Sequence, residues 1–262
     1  MYVFLNQLKA MHGNFTKGED DIFLYHYERR HSSQHGEDGV LEKIFEVIGT
    51  TNKYYVEFGV EDGRECNVRY LKEHHGFQGL LMDGGYENKD INLQKAFITA
   101  ENINSLFEDY HVPMAFDLLS IDIDYNDFWV FQALSSSYQP RVLVLEINAS
   151  ISPDLDQTVP YDPKQSWDGT RYYGASLLAM TRLARSKGYE LVYMESSGTN
   201  AFFIQQEILS ALKLRFYKQG DIRSLYRYPA YGPRLISGKI GPVLCKGHPK
   251  GPLKRPFVSS GL

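Results

Sequence analysis

Apolar residues recur along the chain at two alternating spacings, which predict short strands separated by amphipathic helices. Val40, Ile44, Phe45 and Ile48 follow helical spacing, whereas the run 54–60 is typical of a buried strand. Strands are predicted at 54–60, 78–82, 97–99, 116–123, 141–147, 190–194 and 200–204. Helices are predicted at 39–48, 64–74, 99–110, 128–134 and 174–187. Gly76 is expected to end the second helix, and Thr99 to cap the third.

This alternation predicts an α/β fold with a doubly wound, mostly parallel seven-stranded sheet and helices on both faces, a Rossmann-like arrangement. Parallel sheets bind ligands at the carboxyl ends of their strands, so the chemistry is expected just after each strand. We divide the chain into an N-terminal extension or lid at 1–38, a central domain at 39–210 and a C-terminal extension at 211–262.

Composition narrows the class of protein. Of 262 residues, 43% are hydrophobic and 14% aromatic, which excludes an intrinsically disordered chain. The usage of 22 Gly and 11 Pro excludes a collagen-like chain. A net charge of −4 argues against nucleic-acid binding. The basic segment 246–255 is interpreted as a solvated extension.

The two cysteines, Cys66 and Cys245, are far apart and not in a CxxC motif, which argues against a disulfide scaffold or a cysteine zinc site. No apolar run reaches the roughly 20 residues of a membrane helix, and the first ten residues do not form a signal peptide. A cytoplasmic protein without a membrane partner is the expectation. The sequence leaves open whether the chain forms a homo-oligomer.

The first chemical motif is the turn after the first strand. Glu57 lies in that strand, and Gly59 and Gly63 follow four residues apart, where glycine lets the backbone approach a ligand closely. The turn lacks both GxGxxG and GxxxxGK[ST], so a dinucleotide pyrophosphate or P-loop phosphate fits poorly. A tight turn without a ligand is the alternative.

Asp83 ends the second strand, where a carboxylate can accept both ribose hydroxyls of a nucleoside. The alternative is an Asx-turn ahead of Gly84 and Gly85. The adjoining glycine turn favours the nucleoside interpretation.

The densest acidic stretch follows the fourth strand. Asp122, Asp124 and Asp127 lie so close together that a cation, a donor or a proton must compensate their charges. Alternation in an extended chain places Asp122 and Asp124 on the same side. In the alternative interpretation, Asp124 or Asn126 caps the following helix and Asp127 lies in its first turn.

Glu146 and Asn148 end the next strand, beside the acidic stretch. With Asp122 and Asp124 they offer the oxygen ligands that suit Mg²⁺, Ca²⁺ or Mn²⁺. Such a cation could lower the pKa of a bound hydroxyl. Alternatively, Glu146 and Asn148 orient a cofactor or substrate by hydrogen bonds.

Two further segments are candidates for contact with a substrate. The loop 151–173 is long for a compact domain and carries Trp167, Asp168 and Tyr173, which suggest a lid; surface packing is the alternative. His35 precedes the first helix and is the candidate general base among eight histidines, although a solvent-facing His is the simpler interpretation.

Four segments together resemble class I S-adenosylmethionine-dependent methyltransferases, more narrowly an FkbM-like group. They read SQHGEDG at 33–39, EFGVEDGRECN at 57–67, LSIDIDYND at 119–127, and WDG with YGAS at 167–169 and 173–176. The resemblance covers residues 33–205. Tyr125 stands where Gly is expected.

The resemblance implies that Gly59 approaches the methionine portion of S-adenosyl-L-methionine and that Glu57 and Gly63 shape its pocket. It implies that Asp83 binds the ribose and that Asp122 faces the methionine end and the substrate. Some class I O-methyltransferases bind a divalent cation through an Asp after strand four and an acid–Asn pair after strand five; Glu146 replaces the second acid here.

The expected activity is therefore methyl transfer to a hydroxyl of a small-molecule or glycan acceptor, positioned by Asp122 and Asp124 with or without Mg²⁺ or another divalent cation. Two alternatives stay open. One is a catalytically inactive cofactor-binding or scaffold module. The other is a non-methylating, metal-dependent nucleotide-sugar or phosphoryl enzyme.

Overall fold

The computed structural model describes residues 21–230 and 255–262. Predictions for residues 1–20 and for the basic segment up to residue 254 lie outside the described residues. The strands are β1 Tyr54–Phe58, β2 Gln78–Asp83, β3 Leu93–Lys95, β4 Ala115–Ile121, β5 Gln139–Glu146, β6 Tyr189–Met194 and β7 Asn200–Gln205. The helices are α1 Glu37–Ile48, α2 Arg69–His75, α3 Ile103–Asp109, α4 Asp127–Ala133, α5 Leu177–Ser186, α6 Gln206–Ala211 and α7 Ile222–Leu225.

The strands form one seven-stranded sheet in the order β3-β2-β1-β4-β5-β7-β6. The strands β1 to β5 pair in parallel, whereas β7 runs antiparallel to both β5 and β6. The predicted mostly parallel, Rossmann-like α/β sheet is confirmed. Chain order reverses between β1 and β4, which makes their carboxyl ends the place where such a fold opens a crevice.

Each face of the sheet is covered by its own hydrophobic core. Alternation sends Tyr55 of β1 towards the face covered by α1, α2 and α6, and Val56 and Phe58 towards α3, α4 and α5. The central strands are apolar on both faces because helices cover both. This packing fixes the strand ends, from which the candidate site is built.

The third strand is not where the pattern predicted it. The prediction of a strand at 97–99 is wrong, because β3 is Leu93–Lys95 and pairs with the end of β2. Leu93 is the buried residue of this three-residue edge strand, so the apolar signal there is weak. Phe97 instead lies half exposed, and its ring packs near Gly84.

Three predicted helices begin later than the pattern indicates. The helix predicted at 99–110 begins at Ile103 with Asn102 at the N-cap, so Thr99 is not the cap; its N–H donates to the Asn102 side chain. The helix predicted at 64–74 begins at Arg69, although Gly76 ends it in the left-handed conformation as expected. The helix predicted at 174–187 begins at Leu177, where Ser176 accepts from the Ala179 N–H.

Candidate functional site

A cleft opens at the carboxyl ends of β1, β2 and β4, where the fold predicts a ligand site. Its lining combines apolar and aromatic side chains with carboxylate, amide and hydroxyl groups. The lining residues are Gly59, Asp83, Gly84, Ala96, Phe97, Ile98, Ile123, Asp124, Asn126, Gln165 and Ser166.

Gly59 is required by the close approach of β1 and β4. It has φ +72°, and a Cβ atom built there lies 1.5 Å from the carbonyl oxygen of Asp122. Its N–H donates to the Met82 carbonyl at 3.0 Å, which ties the turn to β2 as well. No side chain fits at this position, so the backbone itself forms the floor of the cleft.

Glu57 stabilises the turn from behind the cleft. Its buried carboxylate accepts from the N–H groups of Asn67 and Val68, at 2.8 and 3.1 Å, just ahead of α2. Burial is the main cause that raises its pKa to about 7. Gly63 has φ +77° and packs against Ile91. Glu57 and Gly63 therefore shape the turn without lining the cleft.

Asp83 lines the cleft and also holds its turns. One carboxylate oxygen accepts from the N–H groups of Gly85 and Tyr86, at 2.7 and 3.2 Å. The other accepts from the Glu61 N–H at 2.9 Å. The Asx-turn interpretation is thus confirmed, and the second oxygen retains acceptor capacity towards the cleft.

Three carboxylates meet beside the cleft. Oxygens of Asp122, Asp124 and Glu146 all lie within 4.8 Å of one another; Asp122 is half-buried, Asp124 exposed and Glu146 buried. Burial, then the neighbouring Asp124 and Asp127, hold the pKa of Asp122 well above its usual range. The pKa of Glu146 is also held well above its usual range, mainly by burial and next by the negative charge of Asp122. Charges held this close favour a proton or a cation between them.

Asp124 lies in a sharp turn rather than an extended chain. It has φ +68°, and the Tyr125 N–H donates to the Ile123 carbonyl across it at 2.9 Å. The positive φ therefore falls at Asp124 and not at Tyr125, where Gly was expected. The pKa of Asp124 is raised to about 6. The main cause is that the surrounding protein desolvates the carboxylate, and the negative charges of Glu61 and Asp83 add to this effect.

Asp127 holds this turn from the first turn of α4. Its Oδ1 accepts from the Ile123 N–H at 2.7 Å, while Oδ2 is buried with no hydrogen-bond partner among the described residues. The N-cap of α4 is Asn126, whose side chain makes no capping hydrogen bond. The alternative interpretation is therefore confirmed in position, because Asn126 is the N-cap residue and Asp127 lies in the first turn of α4. Asp117 lies near the amino end of β4, away from the cleft, and accepts from Arg141 at 2.9 Å.

Asn148 is occupied by the loop that follows it. Its side-chain amide donates to the carbonyls of Arg171 and Tyr173 at 2.9 and 2.8 Å, and its oxygen accepts from the Ser150 N–H at 3.0 Å. The three carboxylates of the predicted metal-ligand set converge. A metal-binding role for Asn148 stays a prediction.

The sequence interpretation missed a second acidic layer, which consists of Glu37, Glu195 and Asn200 and adjoins the carboxylate cluster at Glu146. Glu37 at the start of α1 accepts from the Asn200 side chain at 2.9 Å. Asn200 is the register partner of Glu146, and the Asn200 Oδ1 and Glu146 Oε2 atoms are both buried without a hydrogen-bond partner among the described residues. Glu195, whose pKa is raised to about 7 by burial first, interacts electrostatically with Glu37.

The loop 151–173 reaches the cleft through residues that were not predicted. Gln165 and Ser166 line the cleft. Trp167 donates instead to the Thr170 carbonyl at 2.7 Å, and Asp168 forms an ion pair with Arg255. Tyr173 is buried. Trp167, Asp168 and Tyr173 therefore shape the loop, and direct contact of these three with a substrate stays a prediction.

His35 lies in the turn that precedes α1. Its backbone N–H donates to Glu37 at 2.8 Å, which links this turn to the second acidic layer through Glu37. The neighbouring Ser33 donates from its hydroxyl to Asp38 at 2.8 Å and fixes the same turn. The role of His35 as general base stays a prediction.

The raised pKa values predict that stability falls as pH rises. Burial raises the pKa of Asp127 to about 7, so the folded chain keeps a proton that the unfolded chain releases. This stabilisation is complete below about pH 4 and is lost as pH rises through about 7. We expect a higher Tm at about pH 5.5 than at about pH 7.5 by scanning calorimetry.

The matched variant is Asp127→Asn, which keeps an acceptor for the Ile123 N–H but does not titrate. Its Tm difference between the two pH values should be smaller than that of the wild type. Added MgCl₂ should raise the wild-type Tm more at the higher pH, because protons and the cation compete for the same carboxylates. An equal pH dependence of Tm in the wild type and in Asp127→Asn would contradict the assignment of the effect to Asp127.

Comparison with known proteins finds no family profile and no curated protein that matches this chain. Across residues 21–230 and 255–262, every helix is too short or too polar to cross a membrane.

Proposed function

We propose that the protein is an S-adenosyl-L-methionine-dependent methyltransferase that methylates a hydroxyl group of a sugar or small metabolite. The observation that carries the proposal is the cleft itself. It lies at the reversal of strand order, has Gly59 as its floor, and borders the Asp122–Asp124–Glu146 cluster. This is the sheet edge where the resemblance to class I methyltransferases requires cofactor and acceptor to meet.

The cleft fits the nucleoside portion of the cofactor. The half-exposed Phe97 ring and Ile98 offer an apolar surface on which a base can stack. Asn126 lines the same cleft, and its buried Oδ1 has no partner among the described residues, so it suits an exocyclic amino group. Asp83 faces the cleft with acceptor capacity for ribose hydroxyls.

The carboxylate cluster fits a divalent cation. Three carboxylates converge, and Glu146 contributes a buried oxygen without a hydrogen-bond partner among the described residues. Oxygen ligands of this kind suit Mg²⁺ or Mn²⁺. Asp122, Asp124 and Glu146 would hold the ion, which would supply positive charge that lowers the pKa of an acceptor hydroxyl.

The reaction needs placement and a proton acceptor. The cofactor supplies a methyl group already activated on a sulfonium sulfur; its carbon–sulfur bond breaks as the carbon–oxygen bond forms, and the hydroxyl proton must leave. Asp122 and Asp124 orient the hydroxyl and take that proton, since both are carboxylates at the edge of the cleft. Gly59 sets the distance by letting the two strand ends approach.

The charge of the site favours an acceptor that is not an anion. Glu37 and Glu57 both add negative potential at Asp122, beyond Asp124 and Asp127. Phosphate or carboxylate groups on the acceptor would therefore be repelled unless a cation intervenes. A neutral, hydroxyl-bearing acceptor such as a sugar agrees with this field.

Isothermal titration calorimetry with S-adenosylhomocysteine tests the cofactor assignment. The wild type should bind it, whereas adenosine diphosphate should bind more weakly because the acidic cleft repels phosphate. No binding of S-adenosylhomocysteine would overturn the proposal. The three-carboxylate cluster would then favour the metal-dependent nucleotide-sugar or phosphoryl enzyme instead.

Removing the Phe97 ring should weaken cofactor binding without unfolding the protein. Stacking of one base on an aromatic ring contributes about 1–3 kcal/mol, so Phe97→Ala should raise the Kd of S-adenosylhomocysteine by about 5- to 150-fold. The matched control is Met114→Ala, which removes an exposed side chain next to the amino end of β4, whereas the cleft lies at the carboxyl end. Equal Kd values for Phe97→Ala and the wild type would remove Phe97 from the site.

A further inference from the structure

Residues 255–258, here called the strap, pack against the loop 158–173 beside the cleft. Thr158 and Val258 form an isolated antiparallel β-bridge, in which each N–H donates to the other's carbonyl, at 2.9 and 2.8 Å. The Tyr172 hydroxyl donates to the Pro256 carbonyl at 2.8 Å. The strap therefore bonds the loop at both of its ends.

Side chains of the strap complete a small hydrophobic cluster of the loop. Phe257 packs against Tyr172, with ring centroids 4.9 Å apart, and Tyr172 lies 6.3 Å from Tyr125. Tyr125, Val159 and Tyr172 form this cluster, separate from the two cores of the sheet. Because Tyr125 directly follows Asp124, the cluster connects the strap to the sharp turn at the site.

Arg255 adds an electrostatic contact on the same loop. Its guanidinium group pairs with Asp168 and lies 4.9 Å from the centre of the Tyr172 ring. Hydrogen bonds from Thr170 first, then from Arg255, hold the pKa of Asp168 below its usual range. Both partners are exposed, so the pair contributes less than the packing and the backbone bonds.

The front of the same loop is bound to the site. Trp129 of α4 donates to the Val159 carbonyl at 2.8 Å, and Asn126 donates to the Asp162 carbonyl at 2.8 Å. Gln165 and Ser166 then reach the cleft. The loop is thus held between α4 in front and the strap behind.

Loss of the strap would leave polar backbone groups of the loop without their partners. Thr158 is fully buried, and its N–H and carbonyl both bond Val258. A buried peptide group without a partner is costly, so the loop would move to reach water. Gln165 and Ser166 would move with it.

We propose that the strap holds the loop 158–173 closed over the cleft, and that Arg255 and Phe257 are positioning residues that slow release of the bound cofactor. The inference concerns the loop first. Its second part, cofactor release, rests on the proposed function.

The first experiment measures hydrogen–deuterium exchange in peptides that cover 158–173. It compares the full chain, Phe257→Ala, and a chain that ends at Lys254. Exchange should rise about tenfold or more in the loop of both variants, with β1 and β4 unchanged. Leu262→Ala, whose side chain is exposed, should leave exchange unchanged. Unchanged exchange in both strap variants overturns the inference whether or not the protein binds S-adenosylhomocysteine.

The second experiment measures dissociation of S-adenosylhomocysteine by stopped flow, followed by tryptophan fluorescence. Of the two tryptophans of the chain, Trp129 donates to the loop and Trp167 lies within it. Phe257→Ala should release the ligand about tenfold faster with Tm nearly unchanged, Arg255→Ala should have a smaller effect, and Phe257→Leu should restore most of the wild-type rate. A faster loop exchange with unchanged release would overturn the positioning role. If the full chain binds no S-adenosylhomocysteine, the proposed function fails, and loop exchange alone decides on the strap.

Discussion

Asp122→Asn is expected to lose methyl transfer almost completely while it still binds the cofactor. The amide keeps the size of the side chain, but it cannot take up the proton and carries no negative charge to balance a cation. General-base catalysis by a positioned group contributes about 10²- to 10⁴-fold, so turnover should fall by that factor. The Kd of S-adenosylhomocysteine should change less than about threefold, because Asp122 does not line the cleft where the nucleoside fits.

Asp109→Asn is the matched control, since it removes an exposed carboxylate at the end of α3. It should leave turnover unchanged. The wild-type rate should rise with pH across the range where the cluster loses its protons, because burial and like charges raise the pKa of Asp122 and hold that of Asp124 at about 6. Wild-type turnover in Asp122→Asn would remove Asp122 from the chemistry.

Gly59→Ala is expected to damage both the fold and cofactor binding. The new Cβ would lie 1.5 Å from the Asp122 carbonyl oxygen, so β1 and β4 must separate at the floor of the cleft. The residue would also adopt φ near +72°, which costs a side chain about 1–2 kcal/mol by itself. We expect a loss of unfolding free energy above that cost, measured by urea unfolding, and no detectable binding of S-adenosylhomocysteine.

Gly76→Ala separates strain from the close approach. Gly76 has φ +70° at the end of α2, and a Cβ atom added there would have no neighbouring atom of the described residues within 4 Å, so it carries the same backbone strain without the clash. It should lose about 1–2 kcal/mol of stability and bind S-adenosylhomocysteine normally. Equal losses of stability and binding in the two variants would contradict the role of Gly59 as the floor of the cleft.

The sheet was predictable because its central strands are apolar on both faces. Strands β1, β4 and β5 are covered by helices on both sides, so they appear in the sequence as largely apolar runs rather than as alternating ones. Strand β3 was missed for the opposite reason. At the edge of the sheet it buries Leu93, whereas Gln94 and Lys95 carry no strand signal.

The carboxylate cluster was predictable in part. Asp122, Asp124 and Glu146 follow adjacent parallel strands, and the register of β4 and β5 brings these strand ends together. Asp124 was expected in an extended chain, but the hydrogen bond from the Ile123 N–H to Asp127 favours a sharp turn. Such a bond between a backbone group and a side chain leaves little trace in a hydrophobic pattern.

The second acidic layer was not predictable from spacing. Glu37 and Asn200 are 163 residues apart, and only the antiparallel return of β7 places Asn200 beside Glu146. The strap depends in the same way on contacts such as Tyr172 with Pro256, 84 residues apart. No local motif encodes such pairs. The local signal that was present is the segment SQHGEDG at 33–39, which contains Glu37 but does not indicate its partner.

The central claim is methyl transfer, and the most direct test follows a labelled methyl group. Purified protein is incubated with methyl-labelled S-adenosyl-L-methionine and a panel of neutral sugars and their phosphorylated forms, with Asp122→Asn in parallel. Label should appear in a neutral sugar with the wild type and be absent with the variant. Binding of the cofactor without label in any acceptor, from the panel or a cell extract, would contradict the account and favour a catalytically inactive cofactor-binding module.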